Sequence, residues 1–131
     1  MNKIIIVSGP VIVKDNKVLL DKDHKDDFWK FCGGKIKEDE RLIDTAKRRA
    51  KEELGIEIEF LDENPYMTFV EKEIETDKID VILAHFLARA ESEIKPGADI
   101  REWKWVPLSE LKNEPLAPNI IPTLKHFGFI K

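Results

Sequence analysis

One stretch of helical periodicity, bracketed on both sides by two-residue periodicity, constrains the fold of this chain more than any other feature. From about Asp39 to Leu54 the residues Leu42, Ile43, Ala46, Ala50 and Leu54 fall on one face of a 3.6-residue wheel, and Gly55 sits where a helix C-terminal cap belongs. Before it, Ile4 to Val13, a turn at Asp15-Asn16 and Val18-Leu19-Leu20 predict a β-hairpin. Residues 21–27 then read as a charged loop leading into the aromatic group Phe28-Trp29-Lys30-Phe31. After the helix, Ile56, Ile58 and Phe60 alternate with glutamates until Asn64-Pro65 breaks the run. Residues 66–74 and 79–89 predict two further strands joined by Glu75-Thr76-Asp77-Lys78, and Trp103 to Val106 a short one. A brief helix is expected over 107–112, and a last one over 119–126 with Pro122 tolerated in its first turn. Strands on both sides of one helix, with helices at the end, predict an α/β (α+β) fold: a mixed β-sheet covered by α-helices.

At 131 residues the chain is expected to be a single domain, 1–131, with no internal repeat or linker. Hydrophobic residues make up 42% and charged residues 37%, enough for a core beneath a heavily charged surface. Lys and Arg total 22 against 26 Asp and Glu, a net charge of -4, which argues against a nucleic-acid partner because the phosphate backbone demands a basic footprint. No apolar run approaches the roughly 20 residues of a membrane helix. The run Ile4 to Val7 is broken by Ser8-Gly9-Pro10 and reads as a strand rather than a signal peptide. The lone Cys32 excludes an intramolecular disulfide and fits a reducing compartment, so a cytoplasmic protein is expected.

The chemistry is concentrated in Gly33-Gly34-Lys35-Ile36-Lys37-Glu38-Asp39-Glu40, running on to Arg48-Arg49-Ala50-Lys51-Glu52-Glu53-Leu54-Gly55-Ile56. Glu52 and Glu53 are consecutive and so stand about 100° apart on the helix, Glu53 at the border of the apolar face and Glu52 nearer Arg48. Two carboxylates facing a glycine loop are hard oxygen donors suited to Mg²⁺ or Mn²⁺. The plainer alternative is a solvated face, because Arg48–Glu52 and Arg49–Glu53 are also ordinary i,i+4 ion pairs.

This segment resembles the Nudix box, G-x5-E-x7-R-E-U-x-E-E-x-G-U with U a bulky apolar residue, as found in MutT-like hydrolases. Gly34, Glu40, Arg48, Glu52, Glu53, Gly55 and Ile56 fall on its positions without a gap. Phe28-Trp29 and Glu102-Trp103-Lys104-Trp105-Val106 are also similar to that family. The resemblance implies a Nudix fold, a mixed sheet sandwiched between helices, and Mg²⁺-dependent hydrolysis of a nucleoside diphosphate linked to another group. It further implies that Glu52 and Glu53 are catalytic and hold the metal, with the Gly33 carbonyl beside them and Glu102 as a distal acid. Glu40 would pair with Arg48 to orient helix and loop, and Gly34 and Gly55 would be structural. The implied partner is a small nucleotide or diphosphate substrate, and paired subunits are frequent among relatives, so a homodimer is a further expectation.

Two positions depart from the pattern. The box has Glu where this chain has Arg49, which places a positive charge beside the proposed cation; one like-charge pair at about 4 Å and an effective dielectric near 20 costs roughly 4 kcal/mol. Arg49 could turn to solvent, bind substrate phosphate through its guanidinium fork, or mark a catalytically weak nucleotide-binding domain. Cys32 stands where many relatives have Pro. It reads as a small buried residue, or, with Arg48-Arg49, as a resemblance to isopentenyl-diphosphate isomerases, whose cysteine takes part in proton transfer; Gly34 replaces their metal-binding histidine. Trp29 could stack on a base or pack in the core, whereas Phe31 reads as core. Lys35 and Lys37 could meet phosphates. His24 and His126 read as surface residues, and His85 as a core imidazole or a strand residue facing the site.

Overall fold

The first hairpin closes on two residues that both enter the left-handed region, Asp15 at φ 52° and Asn16 at φ 62°. That mirror-image turn matches strand twist and suits Asp and Asn. It joins β1 (Lys3–Lys14) to β2 (Lys17–Asp23) in this computed structural model, which describes residues 3–131. The expected domain bounds start at Met1; Met1 and Asn2 lie outside the described residues. Along one edge β1 runs parallel to β6 (Asp77–Ala90) from Lys3 to Ile12. Along its other edge it meets β2 only at Val13 and Lys14, and the two strands then splay. The opening is filled by β3 (Gly34–Lys35), which pairs with Val7 and Ser8. A glycine loop is thereby wedged into the middle of the sheet.

The remaining strands are β4 (Ile58–Phe60) and β5 (Tyr66–Ile74), both antiparallel to β6, and β7 (Ile100–Pro107), antiparallel to β2. The principal order is β4-β6-β1-β2-β7. On one face lies α1 (Leu42–Leu54), whose Ala46, Ala50 and Leu54 are fully buried; Ala50 and Leu54 pack with Ile12, Leu19, Ile56 and Ala88. On the other face α2 (Ile120–His126) and a 3₁₀ turn at Leu108–Asn113 cover Val11, Leu20, Phe31 and Val106. Each such large side chain contributes roughly 1.5–3 kcal/mol on burial, so the alternation of β1 drives both layers, Val11 to one and Ile12 to the other. The α+β architecture, a mixed sheet between helices, is the one expected. Among the described residues no helix is long and apolar enough to cross a membrane.

Three expectations are corrected. The charged segment does not begin a loop at residue 21: β2 continues through Asp23 because β7 pairs with it from Lys17↔Pro107 to Asp23↔Ile100. Asp21 and Lys30 also exchange two backbone hydrogen bonds of 2.9 Å. The helix starts at Leu42 rather than about Asp39, since Asp39 has φ 64° and a left-handed residue cannot belong to a right-handed helix. The turn after β5 is Glu75-Thr76 alone, with β6 beginning at Asp77. The expected cap is present: Gly55 has φ 65°, its N–H donates to the Lys51 carbonyl at 3.0 Å, and the following Ile56 N–H donates to the Ala50 carbonyl at 3.4 Å.

Candidate active site

The glycine loop reaches the middle of the sheet because β1 lacks a side chain at one position. A Cβ on Gly9 would stand 1.8 Å from the Cys32 carbonyl oxygen. From this seat the Gly33 N–H donates to Glu53 Oε1 at 2.9 Å, tying the loop to α1. Ser8 Oγ donates to the Leu42 carbonyl at 2.7 Å, tying β1 to the start of the same helix. Glu40 supports the far side: it accepts from Arg48 Nε at 2.8 Å and Nη2 at 2.9 Å, from the Thr45 hydroxyl at 2.6 Å and from the Lys37 N–H at 3.1 Å. The Arg48 hydrogen bond, above all, holds the Glu40 carboxyl near 2. Arg48 also donates to the Lys35 carbonyl at 3.0 Å and to Glu52 Oε1 at 3.0 Å, so one guanidinium fixes loop, helix and the first carboxylate of the pair.

Glu52 and Glu53 project from the last turn of α1, the end at which the helix dipole favours a cation. Glu52 is exposed, and its hydrogen bond with Arg48 holds its pKa low. Glu53 is buried, with a side chain 7% exposed, and desolvation raises its pKa. Between them lies Arg49, with Nη1 2.7 Å from Glu52 Oε2 and Nη2 3.3 Å from Glu53 Oε2. The guanidinium packs on the glycine loop so closely that a Cβ on Gly34 would stand 2.1 Å from Nε. Cys32 is buried, and its thiol lies 3.5 Å from Glu53 Oε1; burial pushes the thiol up, which keeps it protonated.

Asp21 was missed as a site residue. It is 1% exposed, and neither side-chain oxygen has a hydrogen-bond partner. Burial, with the Glu53 charge adding to it, raises its carboxyl to about 7. The signal was present in β-strand alternation: Asp21 occupies the same face as Leu19, which packs under α1.

Beside the loop, on the α2 face of the sheet, lies a cavity of about 430 Å³, large enough for a small organic ligand. Phe28, Phe31 and His85 form part of its wall, Asn119 closes it from the start of α2, and Lys30, Lys35 and Lys72 contribute positive charge. His85 is thus both buried and on the cavity wall; desolvation lowers its pKa to about 4, so the ring is neutral, and Nδ1 has no partner. A larger hollow of about 800 Å³ near Trp103 and Trp105 includes neither the glycine loop nor the α1 carboxylates.

The fold therefore brings together Gly33, Gly34, Lys35, Arg48, Arg49, Glu52 and Glu53, but it places two expected residues elsewhere. Trp29 is buried in the α2-side core, its indole N–H donating to Glu114 and the Lys22 and Lys104 ammonium groups over its ring. Glu102 pairs with Lys22 and Arg101, each at 3.8 Å. It lies opposite Lys22 in the β2–β7 ladder, hence on the face turned away from Asp21. His24 and His126 are exposed, and His126 stacks on Tyr66.

Among the described residues no three acidic, imidazole or thiol side chains converge on one point to hold an ion. Mg²⁺ asks for less: it keeps several waters and takes one or two protein carboxylates plus substrate phosphates. Glu52 and Glu53 supply two hard oxygen donors. The residues fit a divalent cation once the Arg49 guanidinium leaves the pair.

Comparison with known proteins identifies the family. The chain is 31% identical over 107 residues to the m7GpppN-mRNA hydrolase of Saccharomyces cerevisiae, a match covering 77% of this chain and 11% of that protein. It is 44% identical over 57 residues to the 8-oxo-dGTP diphosphatase of Buchnera aphidicola subsp. Schizaphis graminum, covering 40% and 43% of the two. Both matches thus span less than half of the relative's own length. The solution structure of the E. coli ORF135 protein superposes with a TM-score of 0.69 at 28% identity, covering 95% of this chain and 89% of that one. The NUDIX domain model matches residues 4–127, and with the glycine loop, the α1 carboxylates and the mixed sheet it shows that the chain belongs to the Nudix family.

Proposed function

We propose that this protein is a divalent-metal-dependent hydrolase of a diphosphate bond in a small nucleotide. The observation that carries the reading is the placement of Glu52 and Glu53 against a glycine loop whose other side lines a cavity edged with lysines. The cavity takes the nucleoside portion, against Phe28, Phe31 and the neutral His85 ring. Lys35, which lines both this cavity and the hollow beside Arg48 and Glu52, faces the phosphates, and Lys30 and Lys72 add positive charge to the cavity lining. Glu52 and Glu53 hold the ion, with Arg48 fixing the first and the Gly33 N–H the second. An Mg²⁺ or Mn²⁺ ion held by Glu52 and Glu53 would supply charge neutralisation at the phosphates and a lowered pKa for the water that serves as nucleophile. By name the Buchnera relative is a diphosphatase of the small nucleotide 8-oxo-dGTP, and the yeast relative a hydrolase of m7GpppN-mRNA. A nucleotide substrate and the free thiol of Cys32 fit a cytoplasmic location.

Turnover of nucleoside triphosphates, nucleotide sugars, ADP-ribose and dinucleoside polyphosphates with Mg²⁺ or Mn²⁺ tests this. Glu53→Gln should lower turnover by at least about 100-fold, the scale of a lost charge-positioning group, while its unfolding curve stays that of a folded protein. Unchanged turnover in Glu53→Gln would sink the assignment.

The Arg49 bridge between Glu52 and Glu53 supports a second reading, a nucleotide-binding domain whose carboxylates are held shut. A silent wild type with an active Arg49→Glu variant selects that reading over the first.

A further inference from the structure

Arg49 and Asp21 each carry half of an interaction that the structure leaves incomplete. Arg49 gives its two terminal nitrogens to Glu52 and Glu53, yet its Nε is buried without a partner. Asp21 is buried more completely still, with both oxygens unpartnered. A buried carboxylate without a donor is among the most expensive groups a fold can keep, and an orphan donor adds to the cost. The two orphans share a neighbourhood: alternation along β2 turns Asp21 toward α1, where it feels the charges of Glu53, Lys30 and Arg49. Both nearby cations are paired, Lys30 with Asp23 and Arg49 with Glu52 and Glu53, but of the two it is Arg49 that keeps a buried unpartnered nitrogen, its Nε. The guanidinium reaches its present seat because its neighbour is Gly34, where any side chain would occupy the space it lies in.

We propose that Asp21 is a positioning residue, the alternative seat of the Arg49 guanidinium. It draws Arg49 off Glu52 and Glu53 and so frees both carboxylates for the cation. The inference rests on the reading of Glu52 and Glu53 as the metal-holding pair. It accounts for the occurrence together of an arginine at position 49 and a buried, unpartnered aspartate at position 21.

The test is Mn²⁺ binding, followed by calorimetry, for wild type, Asp21→Asn, Arg49→Ala and the double variant. Asp21→Asn should weaken Mn²⁺ binding at least about tenfold, which corresponds to about 1.4 kcal/mol. Arg49→Ala should bind at least as tightly as wild type, and adding Asp21→Asn to it should change the affinity by less than about twofold. An equal loss from Asp21→Asn in both backgrounds overturns the inference, because the carboxylate then acts on the cation directly; so does no loss in either. Binding by Arg49→Ala but not by wild type also overturns it while preserving the Glu52–Glu53 reading. No binding by Arg49→Ala defeats that reading, and the inference with it. Should Asp21→Asn fail to fold, the Arg49 Nε–H resonance of the wild type decides: it should shift on adding Mg²⁺, and a resonance unmoved at saturating Mg²⁺ overturns the inference.

Discussion

Replacing Asp21 with Asn should stabilise the metal-free protein, by an amount that grows with pH. In the folded chain the Asp21 carboxyl titrates near 7, against 3.8 for an unperturbed aspartate, chiefly because burial strips its water and Glu53 repels its charge. The sign follows from proton linkage. Below pH 3.8 both states are protonated and Asp21 costs nothing as a charge. As the pH rises from 3.8 to 7, the unfolded chain releases a proton that the folded one retains, and stability is lost. At about 1.4 kcal/mol per pH unit, the loss is roughly 2 kcal/mol at pH 5, 3 at pH 6 and 4 at pH 7, then constant from about pH 8. Asn has nearly the same shape and cannot ionise, so the difference between variant and wild type isolates this effect while the other carboxylates cancel. For a domain with about 5–15 kcal/mol in all, the change is large, on the order of 10 °C in melting temperature at neutral pH. Urea unfolding in EDTA at pH 4, 5, 6, 7 and 8 measures it. A difference that stays flat across that range, or an Asp21→Asn protein less stable than wild type at pH 7, refutes the account of Asp21 as a buried, unpartnered carboxylate.

His85 should act in the opposite direction: burial lowers it from 6.5 to about 4, so its contribution is intact above pH 6.5 and falls by about 3 kcal/mol as the pH drops to 4. His85→Phe should remove that part of the acid sensitivity, and an unchanged slope in urea unfolding between pH 6.5 and 4 counts against a neutral buried ring. Gly9→Ala should cost about 3 kcal/mol or more, because its Cβ meets the Cys32 backbone at 1.8 Å and the loop must give way. Gly34→Ala meets only the movable Arg49 side chain, so it should cost under about 1 kcal/mol; equal losses in the two unfolding curves would contradict this packing of the loop.

The strands and the helix were legible because each buries a face whose period shows in the chain. Leu42 to Leu54 repeats at 3.6 residues, and β5 occupies the expected span, Tyr66–Ile74. What period cannot show is a polar residue placed inward. The run of seven residues from Asp21 to Asp27 looks like solvated loop by composition, yet pairing with β7 extends β2 through its first three and carries Asp21 into the site. The same limit applies to Trp29, which ends in the core beneath two lysines, and to Glu102, whose strand parity turns it from Glu53. The box spacing places Glu40, Arg48, Glu52 and Glu53 because all project from one helix and its approach, where separation in sequence is separation in space. Lys30, Lys72, His85 and Asn119 meet only through the packing of distant elements around one cavity, and a single sequence carries no local trace of such meetings.

Arg49 changes the electrostatic problem that the α1 carboxylates pose. Two adjacent carboxylates with a third buried nearby repel one another when no ion is bound, and Arg49 supplies the missing positive charge from within the chain, 2.7 Å from one and 3.3 Å from the other. The same charge opposes an incoming divalent cation by about 8 kcal/mol at 4 Å and an effective dielectric near 20, twice the cost for unit charges. By the same expression two carboxylates attract the ion about twice as strongly as the guanidinium repels it, so Arg49 weakens binding without abolishing it, and the site is strongest once the arginine leaves. Leaving for solvent would forfeit both ion pairs with nothing gained inside the fold. Leaving for Asp21 exchanges them for a buried anion that has no other partner, which is why the position of one unexpected residue is best understood from the other.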